Sequence, residues 1–122
     1  EGLEFATSLV RASDVLLENF GAGVLDRLGI GYDAMQKINP GLVYCALKGF
    51  LSGPYEQRTA LDEVVQMMGG LAYMTGPKGR PLRAGASIND VMGGLFGVIS
   101  IQAALLKRLR PFLGSSETNQ PS

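Results

Sequence analysis

Histidine is absent from the 122 residues, and cysteine occurs once, at Cys45. Without histidine the chain alone builds no Ser-His-Asp triad, no Cys-His dyad and no His-ligated metal site. No metal site is expected, and acid–base work falls to carboxylates, tyrosine or lysine. A single cysteine makes no intrachain disulfide, which points to a reducing compartment. Cys45 lies among the apolar neighbours of a predicted strand and reads as an inert core thiol. Excess charge is also missing: 11 basic and 11 acidic side chains cancel. A general polyanion binder needs a basic surplus, so no nucleic-acid partner is expected, although a local Arg or Lys cluster would still hold one phosphorylated ligand. Glu1 opens an amphipathic stretch rather than a basic and apolar leader. The longest apolar run, Val91 to Leu106, is interrupted by Gly93, Gly94, Gly97 and Gln102; it suits a buried helix better than a bilayer span. Because the chain begins on Glu1 rather than Met, we expect an internal segment or a processed product.

What is present suits a globular domain: 46% of residues are hydrophobic and 18% charged. Leu3, Ala6, Leu9 and Val10 share one helical face, predicting a helix over 2–12. Val15-Leu16-Leu17 reads as a strand buried on both sides, ending in the turn Glu18 to Gly23. Short helices are predicted at Val24–Leu28 and Tyr32–Ile38, the second closed by Asn39-Pro40-Gly41. Leu42 to Leu47 reads as a second buried strand. This strand–helix–strand order predicts a parallel pair with a right-handed crossover, and in such sheets ligands sit beyond the carboxyl ends of the strands. Both exits, Glu18 to Gly23 and Lys48 to Leu51, carry polar groups and glycines. A polar loop follows at 52–59 and a helix at 60–72. Residues 73–86 read as loop, with at most a short strand near 82–84. A long helix at 87–109, apolar nearly all round, predicts burial. Pro111 is expected to stop it, and the polar end of the chain to be disordered.

Asp90 is the most interesting acid. In Ser87-Ile88-Asn89-Asp90 it completes a capping box at the start of the long helix, where an acid complements the helix dipole. The same geometry suits a fixed, ionised nucleophile that attacks a thioester carbonyl, with neighbouring backbone N–H groups steadying the oxyanion. Asp62 and Glu63, at another helix start, read first as dipole-complementing charges. Lys48 and Arg27 are either solvated surface charges or phosphate contacts. Asn19 to Gly23 lacks the full spacing of a dinucleotide or P-loop fingerprint. Met67, Met68, Met74 and Met92 read as core filler.

Several of these segments together resemble one family. Asp14 to Phe20 followed by Gly23, Leu28-Gly29 and Gly31-Tyr32 resembles the DV-x-x-ENF-x-x-G…LG-x-GY stretch of family III CoA-transferases. Ile38 to Cys45 resembles their INP-x-L-x-Y-C strand, and Gly53-Pro54-Tyr55 the GPY that follows. Asp62, Gln66, Gly70-Leu71 and Thr75-Gly76 resemble YD-x-x-x-Q-x-x-x-GL-x-x-x-TG; Pro81, Arg83 and Asp90 resemble P-x-R-x-G…D. No single element is specific, but the ordered series over residues 2–107 is. The resemblance implies an α/β fold: part of a Rossmann-like parallel sheet with flanking helices, followed by a long buried helix. That fold is incomplete, because the family's opening segment and later glycine-rich flap fall outside this sequence. It divides the chain into 1–58, part of the CoA-binding α/β domain; 59–110, a helical segment carrying the catalytic aspartate; and 111–122, a disordered tail outside the family pattern.

The implied activity is transfer of CoA between an acyl-CoA thioester and a carboxylic acid through a covalent intermediate on Asp90. By the same resemblance Asn19, Phe20, Gly21 and Arg27 help to hold CoA, and Thr59, Ala60, Leu61 and Asp62 line the same cleft. CoA enters as a substrate, with no tightly bound cofactor. The implied partners are acyl-CoA and carboxylic acid small molecules, with no nucleic acid and no membrane, in a full-length homodimer located in the cytoplasm or, alternatively, the mitochondrial matrix. The alternative function is a truncated, catalytically inactive segment retained for binding or assembly. Acyl-CoA racemases of the family carry His where this chain has Leu61, which disfavours racemase chemistry.

Overall fold

The computed structural model describes residues 1–113; the expected disorder of the tail beyond them lies outside the described residues. The order is α1 (Gly2–Arg11), β1 (Val15–Glu18), α2 (Val24–Arg27), α3 (Tyr32–Ile38), β2 (Val43–Ala46), α4 (Asp62–Met68), α5 (Leu71–Thr75) and α6 (Ile88–Leu113). β1 and β2 pair in parallel, with Val15 opposite Val43 and Glu18 opposite Ala46. The result is a mixed α/β unit: a two-stranded parallel sheet with flanking helices, as the alternation of apolar strands and short helices predicts.

The core is small. Val10, Leu25, Met35 and Ala72 are its buried apolar side chains among the described residues. Met35 and Leu25 each contribute about 1.5–3 kcal/mol by leaving water. Asn39 fastens the corner between α1 and β1: its side-chain amide donates to the carbonyls of Val10 (3.0 Å) and Ser13 (2.9 Å), and its oxygen accepts from the Gly41 N–H (3.1 Å).

Four expectations need correction. The strands are not buried on both faces: Leu17 is 58% exposed, because no element among those described covers that side. The helix expected over 60–72 is two helices, broken at Gly69-Gly70, where Gly70 takes a left-handed φ of 82° that ends α4 and starts α5. Finally, α6 is long but not buried. Leu95, Phe96, Val98, Ile99 and Leu106 are each more than half exposed, because α6 packs only along the line of Gly97. Nor does Pro111 stop it; the helix continues to Leu113. Proline's fixed φ is helical, and its missing N–H removes a single bond near the helix end.

The contacts of α6 fix its direction. A Cβ on Gly97 would stand 3.0 Å from Leu47 Cδ2 and 3.7 Å from Cys45 Sγ, so the bare glycine lets the helix settle on β2. Farther along, the Arg108 guanidinium donates to the Gly41 carbonyl (2.8 Å) and to Asp14 (2.6 Å), the residues leading into β2 and β1. The helix therefore runs antiparallel to the strands. Its start lies beyond their carboxyl ends, with Asp90 about 10 Å upstream of Gly97 at ~1.5 Å per residue. By length and composition, residues 88–110 would also reach across a bilayer. The same features suit the core helix of a larger fold, and the Gly97 contact and Arg108 clamp fit the latter.

Candidate functional site

Three contacts gather the sequence-predicted residues at the carboxyl end of the sheet. The first is at the β1 exit. Glu18 is buried, and its carboxylate accepts from the Phe20 N–H (2.8 Å) and pairs with Lys48 (2.6 Å), whose ammonium also donates to the Phe20 carbonyl (2.5 Å). Lys48 is thus committed to an internal partner, and the pair bends the chain so that Asn19, Phe20 and Gly21 are presented outward, Phe20 55% exposed. Arg27 lies beside this turn, its guanidinium folded back toward Gly23.

The second contact is at the β2 exit. A Cβ on Gly49 would overlap that of Ala60 and meet Val65 at 3.5 Å. This close approach lays residues 59–61 against the strand end, where Thr59 and Leu61 are exposed and Ala60 half-buried.

The third contact joins α4 to α6. Asp62, 5% exposed, accepts on Oδ1 from the backbone N–H groups of Asn89 (2.7 Å) and Asp90 (3.2 Å). Its Oδ2 accepts from the Gln66 amide and lies 3.9 Å from Arg83 Nε. Burial pushes the Asp62 carboxyl up, but the Gln66 bond, the two N–H donors and the Arg83 charge outweigh it and hold the group below the usual carboxylate range. Gln66 is fully buried and uses both ends: its amide nitrogen also reaches the Ala86 carbonyl (3.2 Å), and its oxygen accepts from the Ala84 N–H (2.7 Å).

This arrangement replaces the expected capping box. Ser87 does not cap α6; its hydroxyl accepts from Arg83 (3.3 Å), and Asp62 supplies the cap from another helix. The Asp90 carboxylate is left exposed at the helix start, with no hydrogen bond among the described residues. The first-turn N–H groups are all taken, by Ala86 O, Asp62 and Ser87 O. They are therefore not free to steady an oxyanion, contrary to the sequence reading. Tyr44 is no base at neutral pH, since burial, then the Glu18 and Asp26 charges, push its hydroxyl up.

The sequence brought out Asp62 and Asp90 separately and passed over the part Gln66 plays. Asp62 and Gln66 stand four apart on α4, one turn of the same face; a buried polar pair at that spacing was the available signal. The partnership of Glu18 with Lys48 was not legible, because it depends on strand register.

Comparison with known proteins follows the same outline. The sequence model of CoA-transferase family III matches residues 1–116. The chain is 46% identical over 108 residues to the formyl-CoA:oxalate CoA-transferase of Streptomyces avermitilis, covering 88% of this chain and 26% of that protein. It is 39% identical over 112 residues to the succinate–glutarate CoA-transferase of Agrobacterium fabrum, covering 90% and 28%. The crystal structure of a CAIB/BAIF family protein from Brucella suis superposes with a TM-score of 0.84 at 42% identity, over 90% of this chain and 30% of that one. The chain thus spans between a quarter and a third of the length of these relatives.

Proposed function

The chain belongs to CoA-transferase family III, and on that premise we propose that it serves CoA transfer between an acyl-CoA thioester and a carboxylic acid, with Asp90 carrying the group covalently. The observation that supports this reading most is the exposed Asp90 carboxylate at the start of α6, beyond the carboxyl ends of β1 and β2. Asn19, Phe20, Gly21 and Arg27 from one strand exit, and Thr59, Ala60 and Leu61 beside the other, are the contacts proposed for CoA. The division at residues 58/59 is proposed on the same ground: the first part supplies the β1-exit contacts to CoA, and the second adds those at 59–61 and carries the nucleophile.

In this scheme an Asp90 oxygen attacks the thioester carbonyl, the C–S bond breaks, and CoA leaves as thiolate. The product is a mixed anhydride of Asp90 and the acyl group. The thiolate then attacks the Asp90 carbonyl carbon, releasing the first carboxylate and leaving an aspartyl-CoA thioester. The acceptor carboxylate attacks that thioester, and the expelled thiolate takes the acceptor's acyl group, restoring Asp90. Splitting the transfer into covalent steps avoids one direct and difficult displacement.

Asp90→Asn tests the assignment. Turnover in the intact protein is expected to fall by on the order of 1,000-fold or more, with the thermal unfolding midpoint kept. Turnover near the parent's in a folded Asp90→Asn protein would exclude Asp90 as nucleophile. Racemase chemistry is the less supported use of the site, given Leu61 beside Asp62. A homodimeric full-length protein of the cytoplasm or mitochondrial matrix, without membrane or nucleic-acid partners, completes the proposal.

A further inference from the structure

Resting on that reading, we infer that Asp62 is a positioning residue for Asp90 rather than a contact for CoA. A carboxylate that binds an external ligand presents an oxygen to the cleft. Asp62 does not: it is 5% exposed, Oδ1 is shared by the Asn89 and Asp90 N–H groups, and Oδ2 faces Gln66 and Arg83. An anion at a helix start is stabilised by the dipole and the orphan N–H groups. Here the occupant is a side chain of the protein, so the α6 terminus serves as an anchor and not as a ligand site.

The anchor acts on the Asp90 backbone itself. Its N–H is one of the two held, so the torsions that aim the Asp90 carboxylate are referenced to α4 through a buried side chain. Gln66 fixes Asp62 in turn and ties down the approach to α6 through Ala84 and Ala86. The same clamp joins the segment beside the β2 exit to the nucleophile, because Ala60 packs on Gly49 two residues before Asp62. Proposed CoA contacts and nucleophile are thereby held in one frame. Displacing a reacting group by about 1 Å costs on the order of 100-fold in rate, and loss of this clamp frees the group on that scale.

The consequence is a split in the kinetics of the intact protein. Asp62→Ala removes the acceptor; kcat is expected to fall by about 10- to 100-fold, while KM for acyl-CoA stays within about threefold, since no contact to CoA is lost. Asp62→Asn keeps an oxygen for the two N–H groups, and asparagine caps helices about as well as aspartate; it is expected to recover kcat to within about tenfold of the parent. A rise in acyl-CoA KM of tenfold or more with kcat unchanged, in either variant, would make Asp62 a ligand contact and overturn the inference. So would parental kcat in folded Asp62→Ala. If Asp62→Ala does not fold, Asp62→Asn, whose amide stands against that of Gln66, decides by the split: lowered kcat with KM kept supports positioning, and a tenfold rise in acyl-CoA KM with kcat unchanged overturns it. Asp90→Asn, run alongside, separates the two claims. Parental turnover there removes the nucleophile assignment, whereas a dead Asp90→Asn with a fully active Asp62→Ala removes only the positioning role.

Discussion

At the scale of single residues, the chain handles its acids in two ways. Glu18 and Asp62 are drawn inside and given partners, while Asp90 is left outside without any among the described residues. The first kind holds the site together, and the second is the one proposed to carry the transferred group. Asp62 has a pH consequence whose sign follows from its lowered titration. A carboxyl that binds protons less readily folded than unfolded contributes stability that is full above the ordinary value, 3.8, and is lost as pH falls through the lowered one. Acid unfolding of the parent is therefore expected to steepen below about pH 4, and Asp62→Asn to flatten that region, as followed by circular dichroism. An unchanged acid limb would mean that the Asp62 contacts do not favour its ionised form. Lys48 gives a parallel case. Removing it strands a buried Glu18 carboxylate, so Lys48→Met is expected to cost about 3 kcal/mol in urea unfolding. A neutral result would leave Lys48 free for a phosphate, the other role its sequence position allows. Sequence alone could not choose between these, because the partner sits thirty positions away and is brought near only by strand register.

Among elements, local signals are legible in the sequence and long-range ones are not. α2, α3 and the two strands follow from short apolar runs closed by glycine or Asn-Pro-Gly, all contained within a few residues. The break between α4 and α5 was hidden in a continuous apolar periodicity and depends on the left-handed turn at Gly70. The source of the α6 cap was hidden further still, since Ser87 has the right chemistry in the right place and is nonetheless not used. Glycines of α6 divide into two kinds that sequence cannot tell apart. Gly97 lies on Leu47, whereas Gly93 has nothing within 4 Å of an added Cβ. Gly97→Leu is expected to overpack the seam and cost about 1–3 kcal/mol. Gly93→Ala is expected to gain up to about 1 kcal/mol from helix propensity. Destabilisation by Gly93→Ala in urea titration of the intact protein would show that another part of the molecule lies against that turn.

For the molecule as a whole, the family was legible because its ordered motifs are carried by turns and strand ends, which this chain retains. Burial was not legible. An all-round apolar helix predicts a core, yet among the described residues the faces of α6 away from Gly97 are open. A polypeptide of residues 1–122 alone is accordingly expected to bind a hydrophobic dye and to self-associate, as seen by light scattering; a monodisperse, dye-free monomer would contradict the exposed face. Whether Asp90 carries the acyl group is read out by mass spectrometry. The intact protein would be incubated with a panel of acyl-CoA thioesters, quenched in acid and mapped by peptide. An acyl or CoA adduct on Asp90 is expected; an adduct on any other side chain, or turnover without one on Asp90, would contradict its role as the covalent carrier.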